Sequence, residues 1–136
     1  KHHKKALVIY SKQKKNARMV LSRLRKKSNL LAVASNRPSY FTNIILKSLG
    51  MKKYFNIVAC ADKIGSVKPD PGMLYYILRK LHVEIQDAVF IGDMDIDMET
   101  AKGAKMDAIF ITGGSSTLSS VKKYKKRIIH SLEEIL

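Results

Sequence analysis

Four short apolar runs constrain this chain more than any other feature. Leu30 to Ala34, Phe55 to Ala61, Ala88 to Ile91 and Ala108 to Thr112 are continuously apolar or small rather than alternating. A strand with one wet face alternates; a strand covered on both faces does not. Segments at helical spacing lie between these runs. Ala17, Val20, Leu21 and Leu24 form one, Phe41, Ile44, Ile45 and Leu49 a second, and Leu74, Ile77, Leu78 and Leu81 a third. Strands alternating with amphipathic helices predict an α/β fold, a three-layer Rossmann-like parallel sheet with helices on both faces. Right-handed crossovers then bring every strand's carboxyl end to one rim.

Local signals mark the helix ends. Asn16 is an expected N-cap, Gly50 an expected C-terminal stop, and Asp70-Pro71 an expected helix start. Further expected elements are a helix from Asp95 to about Lys105, a basic helix from Leu118 to Lys126, an edge strand from Arg127 to Ile129 and a terminal turn from Leu132 to Leu136. No internal repeat or linker interrupts the pattern, and 136 residues at 46% hydrophobic content suit one globular domain.

Three polar signals fall on the expected rim. The run ending at Ile91 stops at Gly92 and releases Asp93, Asp95 and Asp97 within five residues, just before a helix. Ligands of open α/β sheets bind at such strand ends. Clustered carboxylates there repel one another unless a cation joins them, and hard oxygen donors suit Mg²⁺. Asp-rich turns also occur on plain surfaces, and Asp95 is placed to cap the helix that follows. Ser35 and Asn36 follow Ala34 directly, where a hydroxyl and backbone N–H groups can hold a phosphate oxygen. Lys68 precedes Pro69, which restricts it to an extended backbone and fixes where its ammonium projects.

Together these stretches resemble the haloacid dehalogenase-like hydrolases of the phosphoglycolate-phosphatase-like kind. Leu30 to Asn36 resembles the family's second motif, Lys68-Pro69-Asp70-Pro71 its third, and Gly92-Asp93 to Asp97 its fourth. The resemblance runs from about Ile9 to the C-terminus. It implies that Ser35 hydrogen-bonds a transferring phosphoryl group and that Lys68 stabilises charge on phosphate and nucleophile. It implies Asp93 as a Mg²⁺ ligand, with Asp97 supporting the metal or orienting Lys68, and Asn36 in the phosphate pocket. The implied activity is phosphate-monoester hydrolysis through an aspartyl-phosphate on a small phosphorylated substrate.

The chain departs from the family at its start. Family members open with a strand ending in a D-x-D motif, whose first aspartate is the nucleophile. Here Ala6 to Tyr10 ends in Ser11-Lys12-Gln13, and no carboxylate precedes Asp62. Tyr10 to Gln13 resembles instead the return from a cap domain to the core. Residues 1–15 are therefore read as the end of a cap and residues 16–136 as the core. The absence of an initial Met suggests a chain that begins partway through a gene product. The expected consequence is a C-terminal portion without catalytic activity of its own. The expected central gap in the sheet calls for a filling: a separate N-terminal segment, Ala6 to Tyr10, or a neighbouring copy.

Composition narrows the alternatives. No apolar run approaches the length of a membrane span, and the N-terminal run is too short for a secretory signal. A single cysteine, Cys60, excludes an internal disulfide, reads as a small core residue, and fits a cytoplasmic location. The net charge of +15 favours anionic partners. Basic clusters at Lys1–Lys5, Lys12–Lys15, Arg23–Lys27 and Lys122–Arg127 carry no interleaved aromatic platform or nucleic-acid-binding signature, so nucleic acid is not an expected partner. The competing function is a non-catalytic module that holds phosphate or an anionic partner.

Overall fold

The computed structural model describes residues 7–10, 16–114 and 116–136. Among the described residues six strands form one sheet in the order β3-β2-β1-β4-β5-β6. They are β1 (Leu7–Tyr10), β2 (Leu30–Ser35), β3 (Ile57–Cys60), β4 (Ala88–Gly92), β5 (Asp107–Ile111) and β6 (Arg127–Ile129), and every neighbouring pair is parallel. The helices are α1 (Ala17–Lys26), α2 (Ser39–Ser48), α3 (Ala61–Ile64), α4 (Gly72–Leu81), α5 (Asp95–Ala104) and α6 (Leu118–Val121).

Both sheet faces are buried, as the continuous apolar runs require. Ala32, Ala34, Ala59, Phe90 and Phe110 point to one side and pack against Met73, Leu74 and Ile77 of α4 and Met98 and Ala101 of α5. Leu31, Val33, Ile91 and Ile111 point to the other and pack against Val20, Leu21 and Leu24 of α1 and Leu46 of α2. Alternate residues of one strand thus feed two separate cores.

The centre of the sheet is filled by the chain's own N-terminal segment. Leu7–Tyr10 pairs with Leu30–Val33 on one side and Ala88–Ile91 on the other. Without it, β2 and β4 would each present an unpaired row of backbone groups inside the molecule. Of the three fillings considered from sequence, the described residues show the second. Of residues 1–15, read as the end of a cap, Leu7–Tyr10 therefore belong to the core sheet; the others lie outside the described residues.

Several local expectations shift. Asn16 precedes α1 but sits in the left-handed region at φ 65 and makes no side-chain cap; its amide donates to Glu133 instead, 3.0 Å away. Strand β3 spans Ile57–Cys60, not Phe55 to Ala61, because Asn56 turns aside to pair with Leu31 through both backbone and side chain. Helix α4 starts one position later than expected, and the Asp70 carboxylate accepts from the Gly72 N–H at 3.0 Å. The expected basic helix over Leu118 to Lys126 stops at Val121 and continues as a 3-10 turn, Lys122–Tyr124. Like-charged lysines three and four apart disfavour its extension. On α2 the expected apolar face is rotated: Phe41 and Ile44 are exposed, and Thr42 and Leu46 are the buried residues. Gly50 does stand just past this helix, at φ 68.

Candidate functional site

The carboxyl rim of the sheet gathers residues from three motifs far apart in sequence. Ser35 ends β2, Gly92 ends β4 with Asp93 next, Asp97 lies in the first turn of α5, and Lys68 sits in the loop before α4. Lys68, Asp93 and Asp97 are all buried.

Lys68 is the centre of the arrangement. Its Nζ donates to Asp97 Oδ1 at 2.8 Å and to the Ala34 carbonyl at 3.2 Å, and it lies 5.6 Å from the centre of the Phe90 ring. An ammonium has three protons. Among the described residues two are used by these acceptors, which leaves one for an anion arriving at the rim. Asp97 is held from both sides, because its other carboxylate oxygen accepts the Met94 N–H at 3.2 Å. That second bond closes the start of α5, so Asp97, rather than Asp95, caps the helix while it orients the lysine.

The Lys68 backbone is fixed separately. Asn36 Oδ1 accepts the Lys68 N–H at 2.8 Å, and Asn36 Nδ2 donates to the Lys68 carbonyl at 3.1 Å. One carboxamide thereby clamps both polar groups of one residue, and the Lys68–Pro69 bond that follows is cis. This is a different placement from the phosphate pocket read for Asn36 in the sequence: its carboxamide faces the lysine loop. Ser35 Oγ accepts the Arg37 N–H at 3.0 Å, which leaves its own O–H as a donor toward the rim.

Two glycines shape the carboxylates. A Cβ on Gly92 would stand 2.3 Å from Asp97 Cβ, and a Cβ on Gly114 would stand 2.4 Å from Asp93 Oδ2. Neither separation is possible between real atoms, so each aspartate occupies space that only glycine leaves. The loop after β5 also reaches α5: Ser116 Oγ accepts the Asp95 N–H at 2.9 Å. Sequence reasoning assigned this loop no role. Its only signal is the Gly113-Gly114 pair, and what Gly114 meets is decided by a residue 21 positions away.

The donors test the expected metal in part. Asp93 offers one hard, buried carboxylate in a glycine-made cradle, which suits one position in a Mg²⁺ shell. Asp97 is engaged by Lys68 and Met94, and among the described residues no group of three or more His, Cys, Asp or Glu could hold an ion. Among the described residues Asp93 is the one that would hold Mg²⁺, which would supply charge neutralisation for a phosphate at the rim. Ser11, which follows β1 in sequence, lies outside the described residues. Cys60, at the end of β3, is buried, and burial pushes its thiol up, away from a nucleophilic thiolate.

Comparison with known proteins agrees with the geometry. The family model for haloacid dehalogenase-like hydrolases matches residues 1–111. The phosphoglycolate phosphatase of Colwellia psychrerythraea is 29% identical over 123 residues, covering 90% of this chain and 54% of that protein. That of Aquifex aeolicus is 31% identical over 120 residues, covering 88% and 56%. The chain spans about half the length of the curated relatives it matches. Among solved structures, one from Lactobacillus delbrueckii subsp. bulgaricus assigned to the phosphoglycolate phosphatases superposes with TM-score 0.80 at 27% identity, covering 89% of this chain and 51% of the other. A haloacid dehalogenase-like protein from Bacteroides fragilis, at 22% identity, shares the fold with TM-score 0.85 over 90% of this chain and 59% of its own. Among the described residues no helix is long and apolar enough to cross a membrane.

Proposed function

Since the chain belongs to the haloacid dehalogenase-like hydrolase family, we propose that it is the phosphate-binding part of a phosphate-monoester hydrolase. Ser35 and Lys68 hold the phosphoryl group, and Asp93 supplies one carboxylate for Mg²⁺. The observation that carries this reading is the buried Lys68 ammonium, anchored by Asp97 and the Ala34 carbonyl with one proton left over. A cation fixed in a dry site stabilises charge on phosphoryl oxygens without having to reorganise. Mg²⁺, when bound, adds to that neutralisation. The names of the curated relatives support a small phosphorylated substrate.

In the complete reaction an aspartate oxygen attacks phosphorus, the ester oxygen leaves, and water hydrolyses the acyl phosphate. This chain carries Ser11, Lys12 and Gln13 after β1, with no carboxylate before Asp62. We therefore expect it to bind phosphate and not to turn over esters. The test is calorimetric titration with inorganic phosphate, alongside a small-ester hydrolysis assay with and without Mg²⁺. Binding that weakens at least tenfold in Lys68→Met, with no turnover, supports the reading. Turnover by this chain, or phosphate binding indifferent to Lys68, would falsify it.

The run of residues without a carboxylate favours one second reading, a non-catalytic anion-binding module. Because β1 already fills the centre of the sheet, an aspartate placed directly after it, Ser11→Asp, separates the two. Recovered turnover supports the enzyme, and retained phosphate binding without turnover supports the module.

A further inference from the structure

The net positive charge of this protein comes from the first part of its sequence, and the described residues carry that division into space. Residues 1–61 contain fifteen Lys and Arg and no Asp or Glu, whereas residues 62–136 contain eleven of each. The sheet order β3-β2-β1-β4-β5-β6 puts the strands of the first part on one side and those of the second on the other. Among the described residues, the excess positive charge belongs to the β3-β2-β1 half.

Within that half, most of the described basic residues collect at the edge opposite the candidate site, with Arg37, beside Ser35, the exception at the carboxyl rim. Helix α1 runs back from the carboxyl rim, so Arg23, Arg25, Lys26 and Lys27 lie beside the amino end of β2. The 3-10 turn with Lys52 and Lys53 precedes the amino end of β3, and the Arg25 guanidinium donates to Asn56 just after it. That bond joins the two groups into one surface. Arg23, Arg25, Lys26, Lys27 and Lys53 are exposed. Favourable interaction with the C-terminal dipole of α1 accounts for charge in that helix's last turn. It does not account for the continuation across Lys52 and Lys53. Attraction of substrate does not account for it either, because the site lies on the other rim. Of the acidic residues of this edge, Glu84 and Asp87 precede β4 and Asp107 opens β5, on the far side of β1.

We propose that this amino-terminal edge of the β2–β3 half is a docking surface for the phosphate backbone of a nucleic acid. The partner follows from what the surface lacks. Among the described residues the exposed large apolar ones are Tyr40, Phe41, Ile44, Val67, Tyr75, Leu118 and Leu136, and none lies within 23–27 or 47–53. Protein interfaces rely on buried apolar or aromatic anchors at their centre. Peripheral membrane binding relies on apolar insertion beside the basic residues. A contact made by charge alone suits a row of phosphates, bound through counterion release and without reading sequence. The absence of a sequence-level nucleic-acid signature agrees with backbone contact only.

The test is fluorescence anisotropy of a labelled mixed-sequence DNA duplex, titrated with the whole chain over a range of salt. The expected slope of log affinity against log salt is about −4.5 for five phosphates engaged. Substituting Arg23, Lys26, Lys27 and Lys53 with Gln together should weaken binding at least tenfold; Arg25 stays because it bonds Asn56. Substituting Lys122, Lys123, Lys125 and Lys126 with Gln removes the same charge near β6, four strands from β2 and about 20 Å away. That variant should lose less than threefold. Thermal unfolding of both variants checks that each is folded, and Lys26→Gln with Lys27→Gln alone provides a milder pair. Equal losses in the two sets would mean bulk charge and overturn the proposal. So would binding to phosphatidylserine vesicles with none to the duplex, or no salt-dependent binding at all.

Discussion

Lys68 and Asp97 meet at 2.8 Å with both side chains buried, although 29 residues separate them in sequence. The pair joins the loop before α4 to the first turn of α5. A buried ion pair contributes modestly against an apolar substitute but leaves a stranded charge when one partner is removed. Lys68→Met or Asp97→Leu alone should cost about 3–5 kcal/mol, whereas the double variant should recover most of that loss. Urea unfolding of the four proteins measures it, and additive single losses would show that the two side chains do not act as a pair.

Gly114 and Gly103 offer a controlled comparison. A Cβ on Gly114 overlaps the Asp93 carboxylate at 2.4 Å, while one on Gly103, inside α5, meets only Pro71 at 3.7 Å. Gly114→Ala should destabilise by about 1–3 kcal/mol, as overpacking of a filled site does. Gly103→Ala should stabilise by about 0.5–1 kcal/mol through helix propensity. Chemical denaturation resolves the opposite signs. Equal effects would mean that the loop after β5 yields freely around Asp93.

Helix α2 tests which of its faces is core. Leu46 is buried and Phe41 exposed, contrary to the face expected from spacing. Leu46→Ala should cost about 2–5 kcal/mol, the range for emptying a packed leucine site. Phe41→Ser should stay within about 0.5 kcal/mol, as exposed substitutions do. Reversed magnitudes in thermal unfolding would place Phe41 in the core instead.

Asp70 sets an expectation for acid. The Ser66 hydroxyl and the Gly72 N–H hold its carboxyl below the usual carboxylate range. A carboxyl whose folded value is depressed contributes stability above its unfolded value, near 4, and loses it as pH falls through the folded value. Ser66→Ala should therefore reduce stability at neutral pH and leave it unchanged at pH below the folded value. Parallel unfolding curves at neutral and acidic pH measure the difference. A constant difference at all pH would separate the Ser66 bond from ionisation.

The sequence carried the architecture for a physical reason. Runs such as Leu30 to Ala34 and Ala88 to Ile91 are apolar on both faces, and only a doubly covered parallel sheet buries both. Parallel strands with one crossover hand then force Ser35, Lys68 and Asp93 toward a common rim. Asn36 was legible as a rim residue but not as the clamp on Lys68. A carboxamide bonds a phosphate or a backbone equally well, and the choice depends on what lies nearby. Gly114 was less legible still, because a glycine pair reads as any flexible loop until the Asp93 carboxylate is placed against it.

By itself, then, the sequence determined the layered parallel sheet, the helix order and the rim that Ser35, Lys68 and Asp93 share, because period and strand order follow from local chemistry. Only the tertiary structure decided that Leu7–Tyr10 fills the centre of the sheet, that α2 turns Leu46 rather than Phe41 inward, and that Asp97 holds Lys68. Those outcomes depend on which groups would otherwise be left unpaired or overlapping when distant segments meet. Spacing along the chain holds no record of that competition.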